Sequence, residues 1–289
     1  MLPVLLRNFE LRTIVASGGM GTVYTALDTK LQRQVALKMM KREVAADAGI
    51  LEGFYREARA SASLNHTNII HIYSFDEYEG QPYLVMELAD NGSLDSRIEA
   101  QQRVPELDVL DVGIKMCSAL TTALQHKLLH RDIKPGNILY NSDGEPKLID
   151  FGLVRAAEDD SWEEHIWGTI YYVAPEKLER KGEDFHSDMY SLGGTLYHAI
   201  TGHAPFEGTV DEVVSAHVHT PLTPPNLVAP DITELTSQAL ERAMAKHPAA
   251  RFETYDEFRM AMENARSQLL IGQLRQTEEG GPEKGWWRR

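Results

Sequence analysis

Two short runs gather most of the side chains able to do chemistry. After the apolar Leu128-Leu129 comes His130-Arg131-Asp132-Ile133-Lys134-Pro135-Gly136-Asn137. An aspartate there can accept a hydroxyl proton, a lysine can neutralise phosphate, and an asparagine oxygen can bind magnesium. Thirteen residues beyond Asn137, Asp150-Phe151-Gly152 offers a second hard oxygen ligand. Few structural needs would place Arg, Asp, Lys and Asn so close together. Upstream lies Val35-Ala36-Leu37-Lys38, followed about twenty residues later by Glu57. A lysine on a strand, taken alone, reads as solvated. An inward glutamate is costly unless paired. An ion pair between Lys38 and Glu57 would account for both and aim the ammonium at phosphate. Further upstream, Gly18-Gly19-Met20-Gly21-Thr22-Val23 would let backbone N–H groups approach phosphate closely. Alone, such a cluster is as well read as a turn, and it lacks the Gly-Lys-Ser/Thr ending of a P-loop.

These residues need elements to hold them. Phe9, Leu11, Thr13 and Val15 alternate with polar residues, which predicts a strand. Thr22–Leu27 and Gln34–Met40 predict two more, with Ala36, Lys38 and Met40 on one face. Leu51, Phe54, Ala58 and Ser61 predict a helix over about 49–63, and strands follow near His71–Asp76 and Pro82–Glu87. After Asn91-Gly92 the pattern turns helical. Leu107, Leu110, Ile114, Cys117, Leu120 and Leu124 form a long apolar stripe. Short strands near Ile138–Tyr140 and Lys147–Ile149 flank an Asn-Ser-Asp-Gly turn. Helices dominate from His186 to about residue 265. The expected fold is therefore α+β in two lobes: a β-rich N-lobe with one helix (about 9–88) and a mostly helical C-lobe (about 92–265), with a ligand cleft between them. The remaining 266–289 read as a flexible tail.

The composition narrows the class. A net charge of −14 argues against tracking nucleic-acid backbones. The single cysteine, Cys117, allows no intrachain disulfide and fits a reducing, cytoplasmic setting. No apolar run is long enough to predict a membrane span, and the first residues do not make a signal peptide. His217 and His219 lack partners at zinc spacing.

Taken in order, these motifs resemble the eukaryotic-like protein kinases, and the texture resembles their bacterial Ser/Thr branch. Asp28 to Lys38, Arg56-Glu57-Ala58-Arg59 with Leu64-Asn65-His66, Gly168-Thr169, Ala174-Pro175-Glu176, Asp188 to Gly193 and Pro248 to Phe252 carry it over residues 9–262. The resemblance implies an α+β, two-lobed kinase fold using ATP and Mg2+ on protein Ser/Thr hydroxyls. It implies Asp132 as base, Lys134 on the transferred phosphoryl, Lys38 (paired with Glu57) on the α- and β-phosphates, and Asn137 and Asp150 on Mg2+. Thr169 would bridge Asp132 and Lys134. Nucleotide contacts would come from Val15, Ala16, Gly18, Gly19, Gly21, Val23, Ala36, Lys38, Glu87, Ala89 and Leu139. Val23 and Ala36 would lie above adenine and Leu139 below it. The backbone of Glu87 and Ala89 would read its edge, beside a gatekeeper Met86. Glu176 would pair with Arg251. Ser/Thr choice rests on Lys134, two after the base, and on Thr169.

Two departures stand out. The first glycine of the family's loop is Ala16, which predicts weaker nucleotide handling. Between Ala156 and Gly168 there is no threonine and one hydroxyl, Ser161, beside Glu158, Asp159, Asp160, Glu163 and Glu164. That loop is either simply solvated, or a carboxylate stands in for a phosphothreonine opposite Arg131. A scaffold that keeps the fold without turnover stays open as an alternative. A small-molecule phosphotransferase of similar fold usually lacks the Ala-Pro-Glu segment and the Arg of His-Arg-Asp.

Overall fold

The computed structural model describes residues 3–19, 21–151 and 170–279, apart from the side chains of Glu57 and 276–279. Six antiparallel strands form the first lobe: β1 (Val4–Leu6), β2 (Phe9–Ser17), β3 (Gly21–Asp28), β4 (Arg33–Met40), β5 (Ile72–Tyr78) and β6 (Gln81–Met86), in the order β1-β2-β3-β4-β6-β5. Residues directly opposite across an antiparallel pair share a face. The register Ala16↔Val23, Val23↔Lys38 and Ala36↔Met86 therefore puts these five side chains on one face. The other face carries the apolar cluster of Leu6, Phe9, Leu11, Val35, Leu37, Tyr83 and Val85.

Two helices, α1 (Arg42–Ala45) and α2 (Ala48–Ala62), follow β4. Asp47 caps α2, accepting the N–H groups of Gly49 and Ile50. Phe54 and Ala58 of α2 pack on Met40 and Leu84. Strand β1 lies five residues before the expected start of the lobe. A three-residue strand leaves too short a pattern to read, and β1 is fixed by pairing with β2 and by burial of Leu6.

The second lobe is built around α4 (Glu106–Gln125), with α3 (Leu94–Gln101) before it. The buried stripe of α4 is wider than expected. Val109, Val112, Gly113, Met116, Ala119 and Ala123 are buried along with Leu110, Cys117 and Leu120, whereas Leu124 is exposed. A Cβ on Gly113 would lie 2.4 Å from the Met262 sulfur and 2.8 Å from a Leu196 methyl, so this glycine permits close helix packing. The hairpin β7 (Ile138–Tyr140) and β8 (Pro146–Leu148) turns at Gly144, where φ is +78°, and the Asn141 side chain accepts the N–H groups of Asp143 and Glu145. Then come α5 (Pro175–Leu178), α6 (Phe185–Thr201), α7 (Val210–His219), α8 (Pro225–Val228), α9 (Glu234–Ala243) and α10 (Tyr255–Glu279).

Helix α10 continues through Glu279, so residues 266–279 of the expected tail are helical. The physical reason is local. Residues 266–279 contain no proline, Arg266 pairs with Asp111 on α4, and Leu269 packs against the core. The charge and glycine that suggested a tail begin only near its end.

Candidate active site

The catalytic turn precedes β7 and is held by elements distant in sequence. Asp188, buried in the first turn of α6, accepts the N–H of His130 (2.6 Å) and of Arg131 (2.7 Å), one on each carboxylate oxygen. Burial pushes the Asp188 carboxyl up, and the nearby His130 and these two donors work against it. The His130 ring is fully buried. It accepts the Asp132 N–H at Nδ1 (3.3 Å), so Nε2 is the atom that donates to the Ile149 carbonyl (2.9 Å). Burial lowers its pKa and keeps it neutral. Its ring lies 4.9 Å from that of Phe151. Arg131 takes φ of +68°, a left-handed conformation that a side-chain-bearing residue holds only when its surroundings impose it.

This frame presents Asp132. Its Oδ2 lies 3.0 Å from Lys134 Nζ and accepts the Asn137 amide at 2.9 Å, and the same Asn137 nitrogen donates to the Asp132 carbonyl at 2.7 Å. Burial acts to raise the Asp132 pKa. The Lys134 charge and these hydrogen bonds outweigh it, so the carboxyl sits below its ordinary value and is ionised at neutral pH. The N–H of Ile149 donates to the Asn137 carbonyl at 3.0 Å, which brings Asp150 alongside. Asp150 also takes a left-handed φ, +53°, and its Oδ1 lies 2.8 Å from Lys38 Nζ on β4. One charged contact thus spans 112 residues and links the two lobes.

The other residues expected to contact nucleotide are placed as follows. Ala16, Val23, Lys38, Ala36 and Met86 share the inner sheet face. Val15 is exposed, next to a register shift between Ile14 and Ala16. Gly18 N–H donates to the Gly21 carbonyl at 3.0 Å. A Cβ on Gly21 would fall 2.4 Å from the Met39 carbonyl oxygen, so sheet packing requires glycine there, while the space around Gly18 is open. Beyond β6, the N–H of Glu87 is committed to the His71 carbonyl (2.8 Å), and Ala89 is buried. Leu139 lies on β7, opposite Lys147. Glu176 and Arg251 make the expected pair, two parallel contacts of 2.7 and 2.8 Å with Arg251 fully enclosed. The side chain of Glu57 lies outside the described residues. Thr169, Ser161 and the acidic residues 158–164 lie outside the described residues, as does the Gly168-Thr169 pair.

Sequence reading gave no role to Asp188 or Lys147. Asp188 left a signal: a carboxylate set among the apolar residues of a helix. Lys147 left none. Its ammonium, almost fully buried, sits 2.6 Å from Glu87, whose other oxygen accepts the His71 N–H at 3.2 Å. This contact ties the strand under Leu139 to the segment between the lobes.

A two-lobed α+β fold with this turn defines a class, and comparison with known proteins gives the same one. Residues 9–258 match the protein kinase domain, and the chain belongs to that family. Among its relatives, the serine/threonine-protein kinase PknB of Mycobacterium leprae is 34% identical over 267 residues, covering 89% of this chain and 43% of that protein. The serine/threonine-protein kinase PknE of Mycobacterium tuberculosis is 34% identical over 248 residues, covering 85% of this chain and 44% of that protein. The chain thus spans less than half the length of these curated relatives. The crystal structure of the Mycobacterium tuberculosis PknI kinase domain superposes with a TM-score of 0.69 at 28% identity, over 91% of this chain and 98% of that one. Among the described residues, no helix is long and apolar enough to cross a membrane.

Proposed function

We propose that this domain is a serine/threonine protein kinase that moves the γ-phosphoryl of ATP, with Mg2+, onto hydroxyls of protein substrates. One observation carries the reading: Asp132 is held ionised between Lys134 and Asn137, beside the Asp150–Lys38 bridge. Asp132 accepts the proton of the substrate hydroxyl as its oxygen bonds to the γ-phosphorus. The bond to the β-phosphate oxygen breaks, and ADP leaves with the electron pair. Lys134 and Lys38 neutralise phosphate charge. Asn137 and Asp150 would hold Mg2+. The Asn137 nitrogen is engaged by Asp132, so its oxygen is the ligating atom, and two hard oxygen donors suit this ion. Bound there, the ion would neutralise charge on the phosphates. The Glu87 carbonyl and the Ala89 N–H would meet the adenine edge, with Val15, Ala16, Gly18, Gly19, Gly21, Val23 and Ala36 above and Leu139 below. Glu57 would pair with Lys38, and Thr169 would bridge Asp132 and Lys134. Hydroxyl rather than phenol preference follows from Lys134 two residues past the base. A lone buried Cys117, its thiol pushed well up by burial, fits work in the cytoplasm.

The test is purified protein with labelled Mg-ATP and a general protein substrate, the products located by mass spectrometry. Phosphoserine and phosphothreonine are the expected products. Phosphotyrosine alone would overturn the specificity. Nucleotide binding without transfer would favour a scaffold.

A further inference from the structure

Lys177 follows Ala-Pro-Glu, far in sequence from the catalytic turn, yet its Nζ donates to the Arg131 carbonyl at 3.1 Å. The same ammonium lies 3.4 Å from Glu183, with both side chains about a quarter exposed. Lys177 stands on firm ground. It belongs to α5, whose neighbouring Glu176 is clamped by the enclosed Arg251. The carbonyl it holds is also a particular one. The C=O of Arg131 and the N–H of Asp132 belong to a single planar peptide unit. Lys177 holds the oxygen end, and His130 Nδ1 holds the N–H end at 3.3 Å. The preceding peptide unit is fixed through its own N–H by Asp188. Since Arg131 takes a left-handed φ of +68°, the orientation of this plane depends on such outside contacts. Rotating the plane would swing the Asp132 carboxylate.

We propose that Lys177 is a positioning residue for Asp132: it pins the Arg131–Asp132 peptide plane and so ties the seating of the Ala-Pro-Glu segment to the aim of the base. The proposal rests on the kinase reading for its consequence, and on geometry alone for the pin. The variants are Lys177→Met, Lys177→Arg and Glu183→Gln. The readouts are kcat and KM for Mg-ATP, and amide hydrogen exchange of the peptide covering residues 128–137.

Losing a hydrogen bond from a charged donor should lower kcat about tenfold in Lys177→Met. The KM for ATP should stay put and exchange should quicken within the catalytic turn. Lys177→Arg should recover part of both. Glu183→Gln keeps the proposal testable should Lys177→Met fail to fold, and should lower kcat roughly twofold. Unchanged exchange in folded Lys177→Met, an equal loss of kcat in the Arg variant, or a rise in KM with kcat intact would each overturn the pin. If Lys177→Met does not fold, unchanged kcat and exchange in Glu183→Gln overturn it. A wild type that transfers no phosphate while exchange still responds to Lys177→Met supports the pin and overturns the kinase reading instead.

Discussion

The glycine turn and the catalytic turn are built in opposite ways. Around the glycine turn, β2 is exposed from Arg12 to Ser17, and the side-chain contacts at its end are the local Ser17–Thr22 hydroxyl pair. The catalytic turn is held by Asp188, Ile149, Asn137 and Lys177, with His130 wholly enclosed. A region with few buried contacts opens at low free-energy cost, whereas a network of buried hydrogen bonds moves as a unit or not at all. The difference assigns labour. On the proposed reading, the sheet would adapt to a nucleotide while the turn keeps Asp132 fixed.

Breaking the fixed side should cost most. Arg251→Met strands the buried Glu176 carboxylate and should destabilise the domain by about 3–5 kcal/mol, lowering Tm by roughly 10 °C in a scanning calorimeter. The pH dependence has a definite sign. Burial acts to raise the Glu176 pKa, but Arg251 and Ser187 outweigh it and the net shift is downward. The pair therefore contributes fully above the ordinary carboxylate pKa and is lost as pH falls through the lower folded value. The Tm gap between wild type and variant should shrink in acid, and a constant gap would contradict this ionic account.

Lys134→Met acts on the same turn but spares its frame. On the proposed reading it should lower kcat on the order of a hundredfold, since Lys134 would stabilise transition-state charge. It also leaves burial less opposed at Asp132, so that pKa rises. Because the ionised carboxylate is the working form, the acid limb of kcat should move to higher pH. A limb that stays in place would mean that another group sets it.

The adaptable side should show the smallest effect. Ala16→Gly should cost about 0.5–1 kcal/mol of stability, the usual price of glycine in a strand, while lowering the KM for ATP and leaving kcat unchanged. A change in kcat instead would erase the distinction between the two regions.

How much of this was legible in the sequence follows the same division. The turn from His130 to Asn137 could be read because its residues are consecutive, and period two gave the inner face of Ala36 and Lys38. The contacts that hold the turn could not. Asp188 lies 58 residues beyond His130, Lys177 lies 46 beyond Arg131, and Lys38 meets Asp150 across 112. Pairing at that range depends on how helices pack, and no local pattern records it. Strand β1 was too short to show a period. Residues 266–279 read as a tail, yet α10 runs through Glu279, tied to the core by Arg266 and Leu269, contacts that local sequence does not display.

The measurement that bears most directly on the account is phosphoryl transfer by Asp132→Asn beside wild type, with nucleotide affinity taken in parallel. The substitution keeps the shape and removes the base. Nucleotide affinity should hold, and transfer should fall by about a hundredfold or more. Equal transfer by the two proteins would contradict the assignment of Asp132 and, with it, the role given to the turn.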